Sequence, residues 1–484
     1  MSPDPGLCNS CAHQQIVPNT RGSRFSLCKR AKNEPERFPR YPRLPVTQCP
    51  GYELDLLAGG SLPGAFERCW TPTPLICDVD GRWLTGTEVD ERSAAAARGF
   101  SFGERVMLTA GADASYLIEY IGVLRAGAIA VPVNPAYTER ELQPIREATT
   151  RGSAGGPARP PAESDAALLL FTSGTTGAPK GALLTHGNLL SSARAVAHAW
   201  EWSMEDTLLL TLPLFHMHGL GVGVHGALAA GSRIVLRPGF DPADVAEQNA
   251  TMFFGVPAMY ERLARAGVLG SLRRMRLLVS GSAPLTVALS DEVAHGAGQR
   301  PLERYGMTET VMISGNPLAG PRKPGSVGVA FPGVEIRLTE NQEIEVRGPN
   351  VLSSYDGGVG ADAFTGDGWF RTGDLGEFDV DGYLRISGRL KELIISGGYN
   401  VYPREVEDVI AAFPGVLEVA VIGRASERWG EQVTAVVVAE GTVDVDALRA
   451  FAGERLAPYK VPKAVEVVDA LPRNALGKVV RGLL

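Results

Sequence analysis

Short apolar strands alternate with amphipathic helices over most of the chain, and the texture changes near Gly388. With a length of 484 residues, this predicts an α/β protein: a large N-terminal domain of layered α/β subdomains, then a small α+β C-terminal domain. The length exceeds what one hydrophobic core supports, so two or three domains are expected. The stretch RVMLTAGADASYLIEYIGVLRAGAIAVPVN reads strand, helix, strand, and DTLLLTLPLFHMHGLGVGVHGALAAGSRIVLRP repeats that scheme. RMRLLVSGSAPL is a strand running into a turn of small residues. Residues 150–165 are rich in Gly, Pro and Ser and read as a flexible loop. Beyond Gly388, GYLRISGRLKELIISGG is strand-rich and leads into VEDVIAAFPGVLEVAVIG and a last αβ unit.

Composition narrows the function classes. Residues AVILMFWYC make up 44% and DEKR 21%, which is ordinary for a soluble globular chain. A net charge of -7 argues against nucleic acid or an anionic membrane surface as the main partner. No apolar run of about 18 residues is present, so no membrane span is expected. The N-terminus lacks the basic and apolar regions of a secretory signal, and a cytoplasmic location follows by default.

Residues 1–52 stand apart. They are rich in Pro, Arg and Cys, carry almost no aliphatic periodicity, and would need a staple to fold. Four of the six cysteines lie here (Cys8, Cys11, Cys28 and Cys49), ahead of Cys69 and Cys77. Clustering of this kind in a cytosolic chain reads as metal ligation rather than disulfides. The Cys8-x-x-Cys11 pair suits tetrahedral zinc, with Cys28 and Cys49 completing four sulfurs. An iron–sulfur cluster, a redox thiol set and a disordered tail with incidental cysteines are the alternatives.

The chemistry begins with Leu168-Leu-Leu-Phe-Thr172-Ser173-Gly174-Thr175-Thr176-Gly177-Ala-Pro-Lys180-Gly. An apolar strand delivers a loop of hydroxyls and glycines that ends in a lysine. Glycines let backbone N–H groups approach phosphate oxygens, hydroxyls add donors, and Lys180 neutralises charge. The Walker pattern is absent, since no GK[ST] follows.

FTSGTTGAPKG resembles the signature of the adenylate-forming superfamily of acyl-CoA synthetases, luciferases and peptide-synthetase adenylation domains. Further blocks resemble that family in order, from about residue 54 to the C-terminus. The resemblance implies an AMP-binding N-terminal domain over 53–388 and a mobile C-terminal domain over 389–484. It implies that His216, in PLFHMHG, borders and gates the acyl site beside Met217. Gly281, Ser282 and Ala283 would flank adenine, and Ser282 and Met307 would also face the acyl group. In Tyr305-Gly306-Met307-Thr308-Glu309, the tyrosine would stack on adenine, the threonine contact the α-phosphate and Glu309 hold Mg²⁺, with Thr176 as a second ligand. A hard carboxylate is what Mg²⁺ bridging phosphates requires. Asp374 would accept from both ribose hydroxyls, beside Arg389. Lys391 falls where the family has its hinge, and Gly397, Gly398 and Tyr399 where it lines a pantetheine tunnel. Lys478 falls where a lysine contacts carboxylate and α-phosphate, stabilising charge on the pentavalent phosphorus.

The implied reaction is attack of a carboxylate on the α-phosphate of ATP, then attack of the CoA thiol on the acyl-adenylate with release of AMP. Arg262, in FGVPAMYERL, matches the position that binds the distal carboxylate in malonyl- and methylmalonyl-CoA synthetases, and a guanidinium fork suits that task. Malonate or methylmalonate is therefore the expected substrate, against a medium- or long-chain fatty acid with Arg262 on a helix surface. A module that loads a carrier protein is disfavoured because no carrier serine motif follows. Intact Lys180, Glu309, Asp374 and Lys478 argue against a non-catalytic scaffold. Two features depart from the family: the Cys-rich leader, and a short, irregular segment between Tyr137 and the phosphate loop that makes the N-terminal subdomain look trimmed.

Overall fold

The computed structural model describes residues 14–18, 24–28, 32, 60–109, 111–152, 156–172, 180–473 and 479–484. Three sheets build the larger part of the chain. The largest has nine strands, and its centre is a parallel run from Leu302–Tyr305 through Leu277–Ser280, Met252–Gly255, Thr207–Leu210 and Arg233–Leu236 to Pro74–Cys77. Every residue of the strands at 207, 252, 277 and 302 is buried, as expected where helices cover both faces of a parallel sheet. Both strand–helix–strand units expected from the sequence form, as Arg105–Thr109, Ala114–Arg125 and Ile129–Val133, and as Thr207–Leu210, His218–Ala230 and Arg233–Leu236.

A second sheet of four strands runs Arg105–Thr109, Ile129–Val133, Ala166–Thr172 and Lys180–Thr185. Its last two strands are antiparallel and pair Thr172 with Lys180, which fixes both ends of the phosphate loop against each other. A third sheet is an antiparallel meander of Glu335–Leu338, Glu343–Arg347, Phe370–Phe378 and Leu384–Arg389. The turn Leu390–Glu392, with Lys391 exposed, leads from it into a five-stranded sheet backed by helices Pro403–Ile410 and Val445–Gly453. That last sheet has its own core around Ile394, Val406, Val421, Val433 and Leu448.

Two expectations change. The segment after Tyr137 is not irregular: it forms a helix, Glu139–Gly152, that contains Pro144. Ile145 and Ala148 bury one face of it, and that packing offsets the backbone hydrogen bond that Pro144 removes from the helix interior. Within residues 1–52, Gln14–Pro18 and Arg24–Cys28 pair as an antiparallel hairpin. Cys28 ends that hairpin as a half-buried free thiol, whereas Cys8, Cys11 and Cys49 lie outside the described residues. No helix of the described residues is long and apolar enough to cross a membrane.

Candidate active site

The strand Leu302–Tyr305 and the residues that follow it join the two halves of the site. Tyr305 is buried, and its hydroxyl donates to Asp374 Oδ2 at 2.6 Å. Arg389 Nε lies 3.1 Å from the other oxygen of Asp374. The aromatic ring and carboxylate expected around the nucleoside therefore meet in one network, anchored by strands Phe370–Phe378 and Leu384–Arg389. Gly306 is required here, because a Cβ would stand 2.0 Å from the carbonyl oxygen of Val311.

Four residues further on, Glu309 is buried and accepts from Tyr355 Oη at 3.0 Å, with Thr172 Oγ1 3.5 Å away. Burial raises its pKa, and among the described residues no lysine or arginine pairs with it within 4 Å. A desolvated carboxylate with room for a counter-cation fits a hard divalent ion such as Mg²⁺. Thr172 and Lys180 bracket the phosphate loop next to Glu309. Ser173, Gly174, Thr175, Thr176 and Gly177 lie outside the described residues, as does Lys478.

The region expected to hold the acyl group opens beside Thr308. A cavity is walled by Tyr137, Leu170, Phe215, His216, Met217 and Thr308, among others. His216 and Met217 precede a wide-turn helical segment, His218–Val224, of a kind often found at functional sites. Burial lowers the His216 pKa to about 4, so the imidazole is neutral near pH 7, and its Nε2 has no partner among the described residues. Met307 packs against the large core at the edge of this region.

Behind the histidines lies a cation that the sequence reasoning missed. Arg304 is buried on the strand before Tyr305, and burial alone lowers its pKa to about 9. Its Nε has no hydrogen-bond partner, and among the described residues no carboxylate forms an ion pair with it. Its neighbour Glu303 accepts instead from the Gly325 N–H, as alternation along a strand dictates. The Arg304 guanidinium packs against the Gly281–Ser282 turn. A Cβ on Gly281 would lie 2.4 Å from Arg304 Cζ, and Nη2 is 3.5 Å from Ser282 Oγ. Ser282 adopts φ +67°, a strained conformation for a residue with a side chain, and its hydroxyl is 3.2 Å from His218 Nδ1. Burial first, then the charges of Arg304 and His216, holds His218 well below its ordinary pKa. Ser282 thus links His218 and Arg304, and His218 Nε2 and Arg304 Nε are left without partners among the described residues. Buried polar atoms without partners are costly, and a cluster of them is what a polar ligand satisfies.

Arg262 does not join them. Its guanidinium stacks 4.8 Å over the Phe240 ring and donates to the Phe240 carbonyl at 3.3 Å, on the exposed side of helix Pro257–Arg265. Tyr260 and Leu263 form the buried stripe of that helix, which turns position 262 outward. The loop Gly397–Tyr399 lines a separate apolar cavity with Ser396, Trp429, Pro458, Tyr459 and Lys463. Tyr399 and Tyr459 stack there with ring centroids 4.7 Å apart.

The chain matches the AMP-binding enzyme family over residues 70–150 and 145–356, and the AMP-binding enzyme C-terminal domain over 405–478. It is 43% identical to an indoleacetate–CoA ligase of Aromatoleum aromaticum, over 64% of this chain and 65% of that protein. Identity is 36% with a feruloyl-CoA synthase of Amycolatopsis (83% and 93% covered). It is 34% with a mitochondrial malonate–CoA ligase of Mus musculus (78% and 80% covered). The ATP-bound crystal structure of MatB from Rhodopseudomonas palustris superposes with a TM-score of 0.80 at 35% identity, covering 87% of this chain and 98% of that one.

Proposed function

We propose that this chain, which belongs to the AMP-binding enzyme family and carries both of its domains, activates a short dicarboxylate such as malonate or methylmalonate and transfers it to CoA. The choice of acid rests on Arg304, a buried cation with no ion-pair partner among the described residues, which packs on the Gly281–Ser282 turn beside His218. The distal carboxylate of a three-carbon diacid supplies the missing anion, and His216, His218 and Ser282 offer it further polar contacts. An acid without that second carboxylate would leave the guanidinium buried and unpaired.

The reaction follows from the two halves meeting at Thr308 and Glu309. The reactive carboxylate attacks the α-phosphate of ATP in line, and pyrophosphate leaves. Tyr305, Asp374 and Arg389 hold the nucleoside, while Thr172 to Lys180 hold the phosphates. Glu309, with Thr176, would hold Mg²⁺, which would supply neutralisation of the phosphate charge. Lys478 stabilises the developing charge on phosphorus during this step. For the second step, the small domain turns about Lys391 and brings Gly397–Tyr399 to the adenylate. The apolar cavity beside that loop, with Lys463 at its edge, suits a pantetheine arm that ends in a phosphorylated nucleotide. Free CoA is the acceptor we favour over a carrier protein.

The apolar cavity walls, including Phe171 and Phe215, favour a second reading in which the acid is aromatic or a fatty acid. An AMP-release assay with ATP and CoA against malonate, methylmalonate, indole-3-acetate, ferulate and octanoate separates the two. Malonate or methylmalonate should give the highest kcat/KM; a higher value for a monocarboxylate would discard the dicarboxylate reading. Metal analysis of the purified full chain tests the zinc reading of Cys8, Cys11, Cys28 and Cys49, and a chain with no bound zinc would discard it.

A further inference from the structure

Tyr355 lies outside every motif discussed above, yet it touches three parts of the ATP site. Its phenol donates to Glu309 Oε1 at 3.0 Å. Its backbone bridges to Ala182, on the strand that leaves the phosphate loop. Its ring lies 5.6 Å from Lys180 Nζ, the last residue of that loop. The residue is held firmly. Its side chain is buried in the large core, and Gly360 packs so closely that a Cβ there would stand 2.7 Å from the ring. The next residue, Asp356, makes a two-pronged ion pair with Arg105 at 2.5 and 3.0 Å, which ties this loop to the first strand of the four-stranded sheet. Toward the carboxylate, which can only accept, the phenol is the donor.

We propose that Tyr355 is the positioning residue for the metal-binding carboxylate: its hydroxyl occupies Glu309 Oε1 and so leaves Oε2 for the divalent cation that accompanies ATP. This rests on the reading of Glu309 as a metal ligand. A partner that orients a ligating carboxylate in this way sets metal affinity without touching the metal. Thr172, near the same oxygen at 3.5 Å, is too distant to replace it. The backbone bridge to Ala182 ties the same residue to the strand that leaves the phosphate loop.

The test uses the full chain with Mn²⁺, followed by electron paramagnetic resonance in the presence of α,β-methylene-ATP. Tyr355→Phe keeps the ring and removes only the donor. It should weaken Mn²⁺ binding about tenfold, leave nucleotide affinity at saturating metal unchanged, and recover kcat as Mg²⁺ is raised. Glu309→Gln is measured alongside it. If Glu309→Gln weakens Mn²⁺ binding and Tyr355→Phe does not, the positioning role is refuted while the metal site stands. Unchanged Mn²⁺ binding in Glu309→Gln overturns both.

Discussion

Arg304→Met removes the buried guanidinium while keeping most of its volume, and it should move activity and stability in opposite directions. With a dicarboxylate bound, the loss leaves a desolvated carboxylate unpaired, which costs about 3–5 kcal/mol. At about 1.4 kcal/mol per decade this is a fall of roughly 10² to 4 × 10³ in kcat/KM for malonate. The free protein behaves otherwise. Arg304 has its pKa lowered to about 9 by burial, so the folded state holds that proton less tightly than the unfolded chain does. The destabilisation is therefore fully present below pH 9, fades only as pH rises above it, and is on the order of several kcal/mol. Removing the charge should leave the melting temperature unchanged or higher at pH 7.5. The assay is AMP release with malonate and with butyrate, beside a thermal melt of each protein. Malonate activity should collapse while butyrate activity stays within about threefold. Equal losses on both acids, or malonate turnover within threefold of the parent, would refute the assignment.

Gly281→Ala drives a methyl group into the Arg304 guanidinium, so it should lower malonate kcat/KM at least tenfold in the AMP-release assay. Arg262→Ala, which removes only a surface stack on Phe240, should leave malonate kcat/KM within about threefold; a loss matching that of Arg304→Met would restore Arg262 as the reader. Tyr305→Phe removes the donor to Asp374 and should weaken ATP binding by about 1 kcal/mol, read as a raised KM for ATP with little change for malonate. Burial lowers the pKa of His186 to about 4 and that of His225 to about 3, both below the ordinary 6.5. Their neutral forms cost nothing above pH 6.5, and stability is lost as pH falls from there towards 4 and 3. Urea unfolding at pH 7.5 and pH 5 should differ by about 2 kcal/mol for each histidine, and His186→Leu should shrink that difference.

Much of the fold was legible because its signals are local. The strand–helix–strand units around Leu117 and Leu220 carry unbroken apolar periodicity, and the phosphate loop is announced by a buried strand that ends in hydroxyls and glycines. Glu139–Gly152 was misread because Pro144 and the charges around it conceal a face carried by only Leu142, Ile145 and Ala148. The two readings of the acyl site differ for one reason, which is that facing is decided by tertiary burial. Arg262 sits between Tyr260 and Leu263 on a helix, and counting that stripe would have turned it outward. Arg304 stands in Leu302–Tyr305, which reads as a half-exposed strand until its place inside a covered parallel sheet is known. The usable signal was a charged pair, Glu303 and Arg304, inside a strand followed by the adenine tyrosine. Tyr355 had no local signal, since its partner lies 46 residues away.

On the proposed function, malonate is activated as an acyl-adenylate before CoA takes part. Carboxylate-dependent exchange of labelled pyrophosphate into ATP, run without CoA, isolates that half-reaction. Malonate or methylmalonate should support exchange at a rate well above that of indole-3-acetate, ferulate or octanoate, and Arg304→Met should abolish the malonate signal. Exchange supported only by the monocarboxylates, or by none of these acids, would contradict the account.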